Sequence, residues 1–171
     1  MRAGLDVKKS EVHGMSQRGG VVSSHVKIAP RVYSPTIAQG QADVLIAFEQ
    51  AEGLRAMNWM CKDGIAVVSR TTLIPAIVSS SKDLEYPDDP IATMKSKAPN
   101  VIPVEADKIA GELGNPRLVN TILLGVLSNH LPFSVEDWTE VMKSKIKARF
   151  VEINLVAFER GRAISLAAAK A

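Results

Sequence analysis

Apolar and polar positions alternate over the first part of the chain, so Leu5 to Val12 and Val21 to Ala29 read as strands. Between them lies His13-Gly14-Met15-Ser16-Gln17-Arg18-Gly19-Gly20, a polar, glycine-bearing loop. Asp43 to Phe48 is a short apolar run, followed by a helical stretch from Glu49 to Cys61 and the β-branched run Ile65 to Ser69. Strand, helix and strand in that order predict a parallel βαβ unit and an α/β class. Ser79 to Asn100 concentrates serine, proline, aspartate and lysine, which predicts an exposed connection. Val101 to Val104 then reads as another buried strand, leading into a helix from Ala106 that ends at Gly114, where tolerance of positive φ is useful.

The next helix carries its own start signal. Asn115 can accept from orphan backbone amides, and Pro116 at the first helical position loses no hydrogen bond. Leu118, Val119, Ile122, Leu123, Val126 and Leu127 make that helix apolar around most of its circumference, so it is expected to be buried or to meet a partner. Asn120 stands out on it, because an amide on a buried helix needs partners. Ser134, with Asp137 three residues on, has the form of a capping box, although aspartate is a poorer third residue than glutamate. Val151, Leu155 and Phe158 share one helical face beyond it.

A length of 171 residues fits one domain spanning 1–171. Apolar residues make up 46% of the chain and charged residues 23%, the balance of a soluble globular protein. Lysine and arginine exceed aspartate and glutamate by 21 − 18 = 3, without blocks of like charge, which gives nucleic-acid binding little support. Cys61 is the only cysteine, so the chain by itself cannot form an internal disulfide or supply the four thiolates of an iron–sulfur cluster. A reducing cytoplasm is the simplest setting. The longest apolar runs, such as Ile122 to Leu127, are too short to cross a bilayer, so no membrane association is expected.

The candidate chemistry sits mainly in the first loop. Paired glycines, Gly19 and Gly20, let backbone amides approach an anion, and Arg18 could add a planar charged fork suited to phosphate or carboxylate. Its position directly after a strand is where open α/β sheets place ligand sites. A tight loop satisfying its own backbone is the competing reading. Glu11 and His13, two apart on a strand, would face one side as an acid/base pair or as a simple structural pair, and Gln17 adds a further polar group. Glu49 and Glu52, heading a helix, can complement its positive end. No zinc spacing, nucleophile elbow, P-loop or complete dinucleotide fingerprint occurs.

Particular residues carry more than their types. The run from Ser10 to Gly20, with Val22, Ser24 and His25, resembles the motif of the beta subunits of indolepyruvate:ferredoxin oxidoreductases. Tyr33-Ser34-Pro35, Gly40 with Ala42-Asp43, and Phe48-Glu49 follow in that family's order. Ala110, Glu112-Leu113-Gly114-Asn115-Pro116-Arg117, Asn120 and Leu123-Leu124-Gly125 resemble its second signature, and Asn154, Ala157-Phe158 and Gly161 complete the pattern. The resemblance implies the gamma-type domain of 2-oxoacid:ferredoxin oxidoreductases, a three-layer α/β/α fold around a mixed, largely parallel sheet. It also implies a large alpha subunit carrying thiamine diphosphate and [4Fe-4S] clusters, with coenzyme A and ferredoxin as acyl and electron acceptors. Within it, the loop residues Glu11, His13, Gln17, Arg18, Gly19 and Gly20 would face substrate, coenzyme A or the partner, with Glu49, Asn115 and Asn120 secondary. Relatives begin with a strand, a Gly-x-Gly-Gly-Gln-Gly turn and a helix; this chain starts where that helix would be ending, near Met1 to Gly4, so an N-terminally truncated version of the fold is expected. An assembly module for the large subunit and a nucleotide-binding α/β protein are the other readings.

Overall fold

The computed structural model describes residues 4–13, 22–80 and 85–168. Strands β1 (Asp6–His13) and β2 (Val22–Ala29) pair antiparallel, from Asp6 opposite Ala29 to His13 opposite Val22. They form a ribbon of their own. Two side chains of the ribbon, Asp6 and His25, tie it to the chain that follows. The Asp6 carboxylate accepts the Val32 N–H at 2.9 Å, and that hydrogen bond holds its carboxyl below the usual carboxylate range. His25 Nδ1 accepts the Ile37 N–H at 3.1 Å, while its ring meets Trp59 edge-on at 4.9 Å.

The expected βαβ unit is present. Strand β3 (Ala42–Ala47) leads through helix α1 (Gln50–Ala56) and the tight turn Met57–Trp59 into β4 (Met60–Ser69), parallel to β3. The helix is shorter than its sequence implies, because Met60 and Cys61 already belong to β4. After helix α2 (Ala76–Ser80), helix α3 (Pro90–Lys97) precedes β5 (Val101–Val104), which pairs parallel with β4 to complete the order β3-β4-β5. Helix α3 corrects the reading of Ser79 to Asn100 as an exposed connection. Asp89 accepts the Ala92 N–H at 2.9 Å, Pro90 occupies the first turn, and Ile91 and Met94 are 2% and 0% exposed. The parallel and antiparallel pairings that a single mixed sheet would combine are separate sheets among the described residues.

Period-two alternation along the strands builds three layers. Ala66 and Val68 of β4, with Leu45 and Ala47 of β3, pack with Leu54 of α1 and with Ile91 and Met94 of α3. Ile65 and Val67, with Ile46 and with Ile102 and Val104 of β5, face the opposite side. That side is covered by α4 (Ala106–Glu112), α5 (Val119–Ser128) and α7 (Ala148–Ala168). Gly114 takes φ +71° after α4. Asn115 then accepts the Arg117 N–H at 3.0 Å, as its capping role requires, although Pro116–Leu118 forms a tight turn ahead of α5. Helix α6 (Val135–Lys145) opens with the complete capping box: Ser134 Oγ accepts the Asp137 N–H at 3.1 Å and Asp137 Oδ2 accepts the Ser134 N–H at 3.2 Å.

Helix α5 is the apolar helix the pattern singled out; it is buried, and α7 packs against it. Gly125 and Gly161 let the two backbones touch: a Cβ on Gly125 would lie 2.1 Å from the Phe158 carbonyl oxygen, and one on Gly161 would lie 2.0 Å from that of Ile122. Thr121 Oγ1 donates to Asn154 Oδ1 at 2.6 Å, and Asn129 Nδ2 to the Arg162 carbonyl at 2.9 Å, across the same contact. Asn120 lies on the outer side and is exposed, so the expectation of a buried amide fails. Among the described residues no helix is long and apolar enough to cross a membrane.

Because the Gly125 contact is with backbone, no rotamer change relieves a new methyl group there. Gly125→Ala is expected to destabilise the fold by at least about 1–3 kcal/mol, read from the denaturant midpoint. Gly111→Ala, in α4, meets nothing within 4 Å and serves as the control, neutral or stabilising by about 0.4–1 kcal/mol.

Candidate functional site

Three parallel strands end on one edge, and open α/β sheets bind ligands outside such carboxyl ends. Glu49 follows β3 there and is only 7% exposed. As the cap of α1 its Oε2 accepts the Glu52 N–H at 2.8 Å, while Oε1 accepts the Leu73 N–H at 3.4 Å and the Tyr86 hydroxyl. One carboxylate therefore joins a helix start to two later loops. Burial, and then the Glu49 carboxylate, push the Tyr86 phenol above its ordinary pKa, so it remains a donor. A pocket of 250 Å³ opens beside the pair, walled by Leu73, Pro75 and Val78.

Next to it, the end of β4 supplies Ser69, fully buried, whose Oγ lies 2.7 Å from Thr71 Oγ1. Thr71 Oγ1 donates in turn to Asp107 in the first turn of α4. Gln50 Nε2 donates to Thr72 Oγ1 at 2.6 Å, and Arg70 pairs with Glu105 at 3.2 Å on the exposed rim. The hydroxyls are fixed in a chain ending on a carboxylate, which suits recognition of a polar ligand more than release of a nucleophile. Tyr86, Ser69, Thr71 and Asp107 were not singled out in the sequence. The polar run Ser69-Arg70-Thr71-Thr72 at the end of a buried strand is the signal that could have found two of them, Ser69 and Thr71.

Glu11 and His13 stand elsewhere. Glu11 is exposed on β1 beside Lys9, with which it pairs, and His13 is the last residue of that strand. Gln17, Arg18, Gly19 and Gly20 lie outside the described residues. The loop joins two antiparallel strands whose middle is held against Trp59, just before β4 begins. The strands on either side of it belong to the antiparallel ribbon and not to the parallel sheet, so the analogy with carboxyl-end ligand loops does not extend to it. Among the described residues no hydrogen bond joins Glu49 to Asn115 or Asn120; Asn115 is a cap and Asn120 faces outward.

The family model for pyruvate ferredoxin/flavodoxin oxidoreductase matches residues 1–164. The chain belongs to that family. Among curated relatives it is 38% identical over 165 residues to indolepyruvate oxidoreductase subunit IorB of Archaeoglobus fulgidus, covering 94% of this chain and 81% of the relative. It is 34% identical to the subunit of the same name from Thermococcus kodakarensis, covering 94% and 82%. Among solved structures it is similar to 2-oxoglutarate:ferredoxin oxidoreductase from Magnetococcus marinus, determined with 2-oxoglutarate, coenzyme A and succinyl-CoA bound. The TM-score is 0.70 at 22% identity, over 97% of this chain and 27% of that one. The chain thus spans about a quarter of that longer polypeptide. The gamma subunit of a keto/oxoacid ferredoxin oxidoreductase from Geobacter sulfurreducens gives a TM-score of 0.63 at 21% identity, over 97% and 83%. Both likenesses support the gamma-type α/β/α fold.

The Glu49–Tyr86 contact has a direct readout, since the chain holds two tyrosines. In an alkaline absorbance titration Tyr86 is expected to ionise above the ordinary tyrosine range, and Tyr86→Phe should remove that late phase. A raised pKa means the folded state holds the proton more tightly, so this contribution to stability is complete below the ordinary range. It is lost as pH rises through the folded-state value.

Proposed function

We propose that this chain is the small, cofactor-free subunit of an indolepyruvate:ferredoxin oxidoreductase, acting beside a larger partner as a single domain. The observation that carries the reading is its 38% identity, over 94% of its length, to a subunit named for indolepyruvate oxidation. The reaction is oxidative decarboxylation of an arylpyruvate: carbon dioxide leaves, coenzyme A takes the acyl group, and two electrons pass to ferredoxin. The thiamine diphosphate and [4Fe-4S] clusters belong to the alpha subunit in this reading, consistent with a chain that has one cysteine to offer. A cytoplasmic setting goes with a free thiol and a ferredoxin acceptor.

The ribbon is the part of the chain suited to the partner. Odd positions of β1 and even positions of β2 share a face, so Val7, Lys9 and Glu11 lie with Val22, Val26 and Ile28. The last three are 56%, 47% and 39% exposed, an apolar stripe beside a charged pair, as a docking surface with a polar margin requires. In this reading the loop from Glu11 to Gly20 faces the partner's active region. There Arg18 and the Gly19 and Gly20 amides would meet an anionic group of the substrate or coenzyme A, with Glu11, His13 and Gln17 shaping the approach.

Co-expression with the large subunit is expected to yield a complex that reduces ferredoxin in the presence of indolepyruvate and coenzyme A and is inactive without this chain. Within that complex Arg18→Ala should lower kcat/KM by about 10- to 100-fold, the loss of a charge-assisted hydrogen bond. An intact complex with unchanged kinetics would assign the loop to assembly alone, and failure to copurify would remove the subunit reading.

A further inference from the structure

At the opposite edge of the parallel sheet, where β4 begins, a cleft of 440 Å³ lies between the last turns of α1 and α3. Small-molecule sites occupy roughly 300–1,000 Å³, so the cleft is large enough for one. Leu54, Met57, Met60 and Ala98 give its lining an apolar part, and Arg55, Lys62 and Lys97 give it a cationic one. No carboxylate is part of its lining.

The plain explanation of the cations is that they offset the negative ends of the two helices, and its size can be judged. Each helix end carries a negative charge of about half a unit, together about one. Arg55 is paired with Glu52, which leaves Lys62 and Lys97; neither forms an ion pair among the described residues. Two positive units exceed the helix ends by about one. The Asp43 carboxylate, outside the lining and 3.9 Å from Cys61 Sγ, offsets about one unit of this excess, so the two lysines act through their position at the cleft and not through a net charge. Lys62 is on a strand, so its placement is not explained by a helix end at all.

We propose that this cleft binds a small organic carboxylate with an apolar body, its carboxylate held by Lys62 and Lys97 and its body resting on Met57 and Met60. Inorganic anions would lack the second half of that recognition. Met57 belongs to the same tight turn as Trp59, on which His25 of the ribbon packs, so an occupant bears on the turn that anchors the ribbon.

Cys61 lines the cleft and is the only thiol of the chain, which makes it a reporter. Its alkylation in the full-length chain is followed by mass spectrometry, with iodoacetate and its neutral isostere iodoacetamide. After normalisation to free cysteine, iodoacetate should be favoured by about three- to tenfold at low ionic strength, and the preference should fade in strong salt. Lys62→Ala and Lys97→Ala should each reduce it, whereas Lys95→Ala, on α3 outside the lining, should not. Indole-3-acetate should slow labelling at concentrations where sulfate does not. No anion preference, or equal protection by sulfate, overturns the proposal. A preference that survives in Lys62→Ala/Lys97→Ala overturns it as well.

Discussion

The backbone contact between α5 and α7 is the constraint on which the other elements depend. Helix α5 must lie flat on β4 and β5 to cover Val67 and Val104, and it has a second apolar side that also needs cover. Only a helix that comes close enough to touch backbone fills that space without a cavity, and Gly125 and Gly161 are what allow it. The side-chain bonds flanking the crossing, Thr121 to Asn154 and Asn129 to the Arg162 carbonyl, then fix rotation and height. With α7 set, its Phe158 becomes fully buried and receives the Trp138 ring of α6 at 6.1 Å. The layer on that side of the sheet is thereby closed.

The other layer has a different logic. There α1 and α3 are short and lie on Ala66 and Val68, and their starts are held by carboxylates, Glu49 and Asp89. Glu49 does more than cap, because its second oxygen binds the loop after β4 and Tyr86. A buried carboxylate with three donors is well solvated by the protein, which explains why it can stay inside. The carboxyl edge of the sheet is organised around it.

Much of this was legible in the sequence, and for identifiable reasons. The βαβ unit, the strand Val101–Val104 and the caps at Asn115 and Ser134 follow from local chemistry, so local reading finds them. Gly125 and Gly161 belong to the positions that carry the family resemblance, and their role is now a contact distance. Helix α3 was hidden because polar residues surround it, although Asp89-Pro90 repeats the start signal of Asn115-Pro116. The rim of Ser69, Thr71, Tyr86 and Asp107 was not legible as a unit: its members come from three places in the chain, and only the fold brings them to one edge. Asn120 misled because apolar neighbours on a helix do not say which side faces out.

A two-stranded ribbon is marginal in water by itself, and this one keeps its shape through the bonds of Asp6 to Val32 and of His25 to Ile37, with Trp59 behind. Those contacts order the strands before any encounter with another protein. The conformational entropy of extending some sixteen residues, about 1–2 kcal/mol for each, is thus lost during folding and is not charged against association. In the proposed complex, a surface prepared in this way would associate without that ordering cost, so a modest apolar stripe would go further toward affinity.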